Sequence, residues 1–285
     1  MRTLLPALLL SACTQSIYLE TVPDKPAEPE TPPEETAAPA AETDTPVADT
    51  PDDVWDEPVP QADKPVYANT RDALWEVDPA SGAATLIGTF EEAGTVIDGV
   101  VDIAIDARGR LYAGDRGPGT SGPYTIYRVD PFTAEATTVC STDKELLAMT
   151  FTSDGDLIVG SGNGLYYVDL PSCVATPMIE GAAWETSGDV VGLPDGFVYW
   201  TVRGTDGDVL VVVDPRTGTA TRRGDIGYES LYGVAYDTTE GRLYGFSSRG
   251  DTVAISIGTG RGTLLRFDES RSWWGATTNP VAWGP

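Results

Sequence analysis

Residues 210–224 read LVVVDPRTGTATRRG. The middle of this stretch, Asp214-Pro215-Arg216-Thr217-Gly218-Thr219, has the chemistry of a tight loop. Proline pre-sets the backbone of the first loop residue, and glycine takes a left-handed fourth position. The Asp214 carboxylate can accept from the loop amides. With strand formers on both sides, the stretch predicts a four-residue hairpin loop built on a type I turn. Worn copies recur as VDPASGAAT at 77–85, VDPFTAEAT at 129–137, VDLPSCVAT at 168–176 and the degenerate ISIGTGRGT at 255–263.

A second phrase precedes the hairpins: VDIAIDARGRLYAG at 101–114, LAMTFTSDGDLIVG at 147–160, DVVGLPDGFVYWT at 189–201 and YGVAYDTTEGRLYGF at 232–246. Each is a strand, a tight Asp/Gly turn and another strand. Each full unit therefore holds four strands, A to D. Four strands at a period of about 42 residues are the signature of a β-propeller blade. The first unit, 64–88, has strands B, C and D but no A, and TNPVAWG at 278–284 reads as an orphan A strand. Joining the two completes a fifth blade from both chain ends and leaves no open ring. In the predicted inner strands Ile103, Met149, Val191, Val234 and Val281 are bulky. Their successors Ala104, Thr150, Gly192, Ala235 and Ala282 are small, as a crowded axis requires.

The expected fold is thus all-β, a five-bladed propeller of four-stranded antiparallel blades over residues 65–285. Six blades would require extra strands within 89–100 or 114–125. The domain resembles bacterial propeller proteins with LYxVDPxTGxxTxIG-type repeats, over about 220 residues. That resemblance implies a fold and leaves the function open, since propellers host enzymes, lectins and scaffolds alike.

The N-terminus is another material. Arg2 and the apolar TLLPALLL lead to Leu10-Ser11-Ala12-Cys13. This resembles the lipobox of bacterial lipoproteins, which implies a signal peptide over 1–12 and a lipidated Cys13. Thr14, where an inner-membrane retention signal would be Asp, points by the same resemblance to the outer membrane, facing the periplasm or the cell surface. The alternative is an ordinary signal peptide with a chance cysteine. Residues 14–64 hold ten of the 22 prolines and 14 acids against Lys25 and Lys64. Such a segment buries too little apolar surface to offset its ordering entropy, and reads as an extended stalk.

The formal charge of −26 disfavours nucleic acid as a partner. The absence of histidine removes Ser-His-Asp and Cys-His nucleophiles and histidine-held zinc. No cofactor and no metal is expected. The Asp-x-x-Gly turns at Asp106, Asp154 and Asp237 lack the alternating oxygens of a calcium loop. Besides Cys13 there are Cys140 and Cys173, either a disulfide or two buried thiols. Against the disulfide, Cys140 ends an outer strand, and Cys173 sits in the next blade's hairpin, expected near the opposite face.

The B–C and D–A loops should share one face around the channel mouth. The B–C loops carry Arg71, Arg116, Asn163, Arg203 and Arg249, and the D–A loops carry Trp184, Tyr228, Trp273 and Trp274. The first residues of strand A add Asp102 and Asp189. Guanidinium forks grip anions and exposed aromatics stack on sugars. A non-enzymatic binding or interaction face follows, for a glycan, an anionic ligand or an envelope protein, on a monomer. In the competing structural reading, each arginine neutralises its neighbour, Asp72, Asp115, Asp206 or Asp251, and Trp273-Trp274 cap the closure of the ring. Two further readings are a carboxylate-dependent glycan hydrolase or lyase using Asp102 and Asp189, and a purely structural envelope part. Arg249-Gly250-Asp251 also spells an integrin tripeptide, a triplet that arises readily by chance.

Overall fold

The computed structural model describes residues 66–119, 122–170, 172–237 and 240–278. The leader, Cys13, the 14–64 segment and Val281 lie outside the described residues. The described chain forms five four-stranded antiparallel sheets. Blade 1 runs from the axis outward as Gly275–Thr278, Val66–Asn69, Ala73–Asp78 and Ala83–Thr89. Blade 2 is Val100–Ile105, Leu111–Asp115, Tyr124–Val129 and Ala136–Thr142, and blade 3 is Ala148–Phe151, Leu157–Ser161, Gly164–Asp169 and Val174–Ile179. Blade 4 is Thr186–Gly192, Val198–Val202, Val209–Asp214 and Thr219–Asp225. Blade 5 is Leu231–Asp237, Arg242–Ser247, Asp251–Ile255 and Gly262–Phe267. The five inner strands pack side by side in blade order, and the last packs back on the first. The fold is a five-bladed β-propeller. The 89–100 segment adds only a ribbon of Glu91–Glu92 with Thr95–Val96, too short for a sixth blade.

Closure uses a different segment from the one the sequence suggests. Gly275–Thr278 pairs with Val66–Asn69, matching Tyr67 with Thr277 and Ala68 with Ala276. The inner strand of blade 1 thus precedes most of the expected 278–284 stretch. The pairing registers also move blade 4 by one residue. Val190 stands opposite Trp200, as Ile103 opposes Ala113, Met149 opposes Val159 and Val234 opposes Gly245. The equivalent inner position therefore reads Ile103, Met149, Val190, Val234 and Ala276. A one-residue slip matters because it exchanges the two faces of a strand.

The hairpin repeat has a second purpose besides turning the chain. Its fourth loop residue is left-handed in every blade: Gly82, Ala134, Cys173, Gly218 and Gly260, with φ between 55° and 74°. In blade 4 the Gly218 amide donates to the Asp214 carbonyl at 2.9 Å, and Asp214 Oδ1 accepts from the Arg216 amide at 3.0 Å. Each hairpin then leans on the outer strand of the preceding blade, where that strand carries a β-bulge. The bulge-side residues are Gly88, Cys140, Ile179, Gly224 and Arg266. A methyl group on Gly218 would lie 2.7 Å from the Met178 carbonyl oxygen, and one on Gly88 would collide with the Thr133 carbonyl. Glycine is needed here for close approach as well as for φ.

At the joint of blades 2 and 3 both contact positions are cysteine. Cys140 and Cys173 are disulfide-bonded, their Cα atoms 5.8 Å apart, inside the usual span. The expected separation of the two by face does not hold, because the hairpin tip touches the neighbouring blade's outer strand rather than pointing away from it.

Candidate functional site

Two aspartates close the axis. Asp102 and Asp189 occupy equivalent inner positions in blades 2 and 4, and both are 0 % exposed. The other three blades carry Ala148, Gly233 and Gly275 at this level, leaving room for two carboxyl groups. Asp102 Oδ1 accepts from the Ile103 amide at 2.8 Å and Oδ2 from the Met149 amide at 2.5 Å. Asp189 Oδ1 accepts from the Val190 amide at 2.6 Å, and its carboxylate also takes the Val234 and Ala276 amides. These are the same five amides, one per blade, that the free edges of the inner strands aim at the axis. Two side chains satisfy all five donors, each of which would cost about 1–3 kcal/mol if buried unpaired.

The two carboxyl groups also hydrogen-bond to each other. Burial raises both well above the ordinary carboxylate range; the Asp189 charge raises Asp102 further, while the hydrogen bond from Asp102 favours the ionised form of Asp189. Asp189 has three amide donors and Asp102 two, so the negative charge settles on Asp189 and the shared proton on Asp102. This corrects the expectation that they line the mouth as ligand or catalytic groups. They are sealed from solvent and joined by a hydrogen bond, which leaves no gap for a glycosidic bond between them.

One residue above this level is a second ring of equivalent positions: Val101, Leu147, Gly188, Tyr232 and Trp274. All five line a cavity of about 230 Å³. Gly188 makes the gap, since a methyl there would collide with the Leu231 carbonyl. Tyr232 and Trp274 supply aromatic surface. Arg116 from blade 2 and Arg203 from blade 4 also line this cavity. The Arg203 amide donates to the Glu185 carbonyl at 2.9 Å, and its Nε donates to the Thr186 carbonyl at 3.4 Å. Arg203 Nε also lies 3.4 Å from Glu185 Oε1, with both side chains 61 % exposed, so the pair is weak. The Arg116 guanidinium carbon sits 6.0 Å from the Trp274 ring centroid, at the edge of cation–π range. Among the described residues no carboxylate is within ion-pair distance of Arg116. Its neighbour Asp115 instead accepts from the Gly117 and Thr125 amides and the Tyr127 hydroxyl.

The remaining expected residues are elsewhere. Arg71 forks onto Asp98 at 2.6 and 2.8 Å. Arg249 pairs with Glu229 at 3.1 Å and shares a separate open groove of about 520 Å³ with Tyr228 and Phe267. Asn163 is exposed and reaches the Ala182 carbonyl at 3.5 Å. Trp184 packs on the core of blades 3 and 4. Trp273 is 3 % exposed and seals blade 5 against blade 1, edge-on to Trp75 and Phe246. It is a wedge of the closing seam, as the ring-closing reading has it, and not a group of the binding face. The sequence reading missed Tyr232, Thr186 and Leu147. Leu147 and Tyr232 stand one residue before the level of the two aspartates and Thr186 three residues before Asp189, and counting back from the register would have found them.

Geometry and fold together define the class, a closed five-bladed propeller with an arginine- and aromatic-lined axial mouth. No protein-family model matches the chain, and no curated protein matches it. Among solved structures it is similar to a chain of the nidogen/laminin complex, at 10% identity and a TM-score of 0.50, covering 76% of this chain and 98% of that one. It is also similar to the extracellular domain of a one-component system from B. thetaiotaomicron, at 14% identity and a TM-score of 0.42, over 77% of this chain and 30% of that one. A third is a puromycin hydrolase S511A mutant, at 18% identity and a TM-score of 0.43, over 75% and 38%. At these identities the likeness is one of fold.

Proposed function

We propose that this protein is a non-enzymatic binding module that takes a small anionic ligand at the mouth of its axis. The observation that carries this reading is the convergence of Arg116 and Arg203 on one cavity with Tyr232 and Trp274. A surface rich in carboxylates would ordinarily neutralise every guanidinium, yet Arg116 keeps its charge for the cavity. Arg203 is only weakly held by an exposed Glu185. Below the cavity the acid pair blocks the channel, so the site is a cup and not a pore.

The lipobox-like Leu10-Ser11-Ala12-Cys13 supports a lipid anchor at the outer membrane, with residues 14–64 as the tether. Cys13→Ser should then move the protein to the soluble fraction, and retention in membranes would contradict the anchor.

The binding reading is tested by calorimetry of the full chain against a panel of small carboxylates. Arg116→Ala with Arg203→Ala should weaken any ligand by roughly 100-fold or more, on about 1.5–3 kcal/mol per charged hydrogen bond. Arg249→Ala should leave it unchanged. Equal loss in the Arg249 variant, or no loss in the double variant, overturns the assignment to the mouth.

A further inference from the structure

The cavity at the mouth sorts its polar and apolar groups by depth. Nearest the acid pair is the ring of Val101, Leu147, Gly188, Tyr232 and Trp274. The two arginines are rooted further out. The Arg116 amide donates to the Gly99 carbonyl at 3.0 Å and the Arg203 amide to the Glu185 carbonyl at 2.9 Å, both beyond that ring. Two hydroxyl side chains in the wall are turned away from a guest. The Thr186 hydroxyl is sealed from solvent and faces blade 3, 3.3 Å from where a Cβ on Gly160 would stand. The Ser187 hydroxyl donates to the buried Asp208 carboxylate at 2.6 Å. Polar chemistry among the lining side chains is then left to Arg116, Arg203 and the Tyr232 hydroxyl. The deeper part offers Val101, Leu147 and two aromatic rings.

Size and charge narrow the guest. At about 30 Å³ per water, a cavity of about 230 Å³ holds roughly eight waters, the space of one six-membered ring with a short substituent. Arg116 and Arg203, less the Glu185 carboxylate 3.4 Å from Arg203, leave a net charge of about one positive unit. One carboxylate matches it, and the field of a chain with net charge −26 opposes a polyanion. The Arg116 guanidinium stands 6.0 Å from the Trp274 ring centroid, so a ring against the indole has its carboxylate within reach of the arginine. A hydroxyl-bearing ring of the same size and charge would bury its hydroxyls against Val101, Leu147 and Trp274, which offer them no partner.

Resting on the mouth as the binding site, we infer that its ligand is a small aromatic monocarboxylate, an apolar ring bearing one acid group. The ring enters between Trp274 and Tyr232 toward Val101 and Leu147, and Arg116 and Arg203 hold the carboxylate at the rim. The test titrates the full chain by calorimetry with benzoate, glucuronate, acetate and benzyl alcohol in parallel. Benzoate should bind at least about tenfold tighter than each of the other three, since only it has both the apolar ring and the charge. Leu147→Asn, its fold checked by melting temperature, should weaken benzoate by about fivefold or more and acetate by less than about twofold. If glucuronate or acetate matches benzoate on the parent protein, the aromatic-acid assignment falls and the anion site stands. If benzyl alcohol matches benzoate, or no carboxylate binds, both fall.

Discussion

Asp102 and Asp189 face each other across the propeller axis, hydrogen-bonded to one another and holding one inward amide from every blade. They act as an internal anion in a ring of donors. Folding therefore takes up a proton. Both carboxyls are raised above their unfolded value, so the pair's contribution to stability is complete below about pH 4 and is lost as pH rises through the folded-state titration. Asp102→Asn supplies a permanent donor to Asp189 and removes the Asp102 share of that slope. Melting temperatures measured from pH 4 to pH 8 should fall more steeply in the parent than in the variant. Asp189→Asn, which places an amide NH₂ among three N–H donors, should be destabilised by about 2–4 kcal/mol at every pH. Parallel pH curves for parent and Asp102→Asn would contradict the shared proton.

The disulfide replaces a glycine-type joint, and this makes its cost separable into two parts. Breaking the bond between Cys140 and Cys173 frees a loop of 33 residues of sequence separation, worth about 3–4 kcal/mol in the loop-entropy model. Cys173 is also a non-glycine residue at φ 55°. Cys173→Gly should therefore lose about 1 kcal/mol less than Cys173→Ala, although both abolish the bond. Urea denaturation of the two variants decides this, and equal midpoints would count against the left-handed joint.

Gly218 carries both demands of the repeat, a φ of +67° and contact with the Met178 carbonyl. Gly218→Ala should destabilise by about 2–3 kcal/mol. Gly155→Ala, at φ +91° but with open space around it, should cost about 1 kcal/mol less. A reversed order would show that the hairpin does not bear on the neighbouring blade.

Adjacent tryptophans have opposite tasks. Trp273 is wedged in the closing seam, and Trp273→Ala should cost about 3–5 kcal/mol. Trp274 is half-buried at the mouth beside Arg116. Trp274→Ala should cost about 1 kcal/mol or less in stability while abolishing ligand binding. Thermal unfolding with calorimetry separates the two, and matched stability losses would undo the distinction.

The blade count was legible because turn chemistry is local. Asp-Pro-x-Thr-Gly at 214–218 writes a hairpin wherever it stands, and with its four worn copies, spaced 39 to 52 residues apart, it defines a ring. The position of the closing strand was not, because GATT at 275–278 has no bulky alternation and its pairing with Val66–Asn69 depends on contacts 200 residues away. The same limit hid the role of Asp102 and Asp189. Polar residues at the head of a strand look like rim groups, and only the ring's geometry shows five amides meeting there. The arginines were visible as a set, but which two converge depends on blade order and on acids distant in sequence. Asp98 takes Arg71, while Asp115 turns away from Arg116.

The indole N–H resonances of the tryptophans in the ¹⁵N-labelled full chain, assigned with Trp274→Phe and followed during titration with a panel of small carboxylates, test the axial mouth most directly. The account predicts a saturable shift of the Trp274 signal, with the Trp273 signal unmoved and the effect lost in the Arg116→Ala, Arg203→Ala double variant. A stationary Trp274 signal, or a shift that survives loss of both arginines, would contradict it.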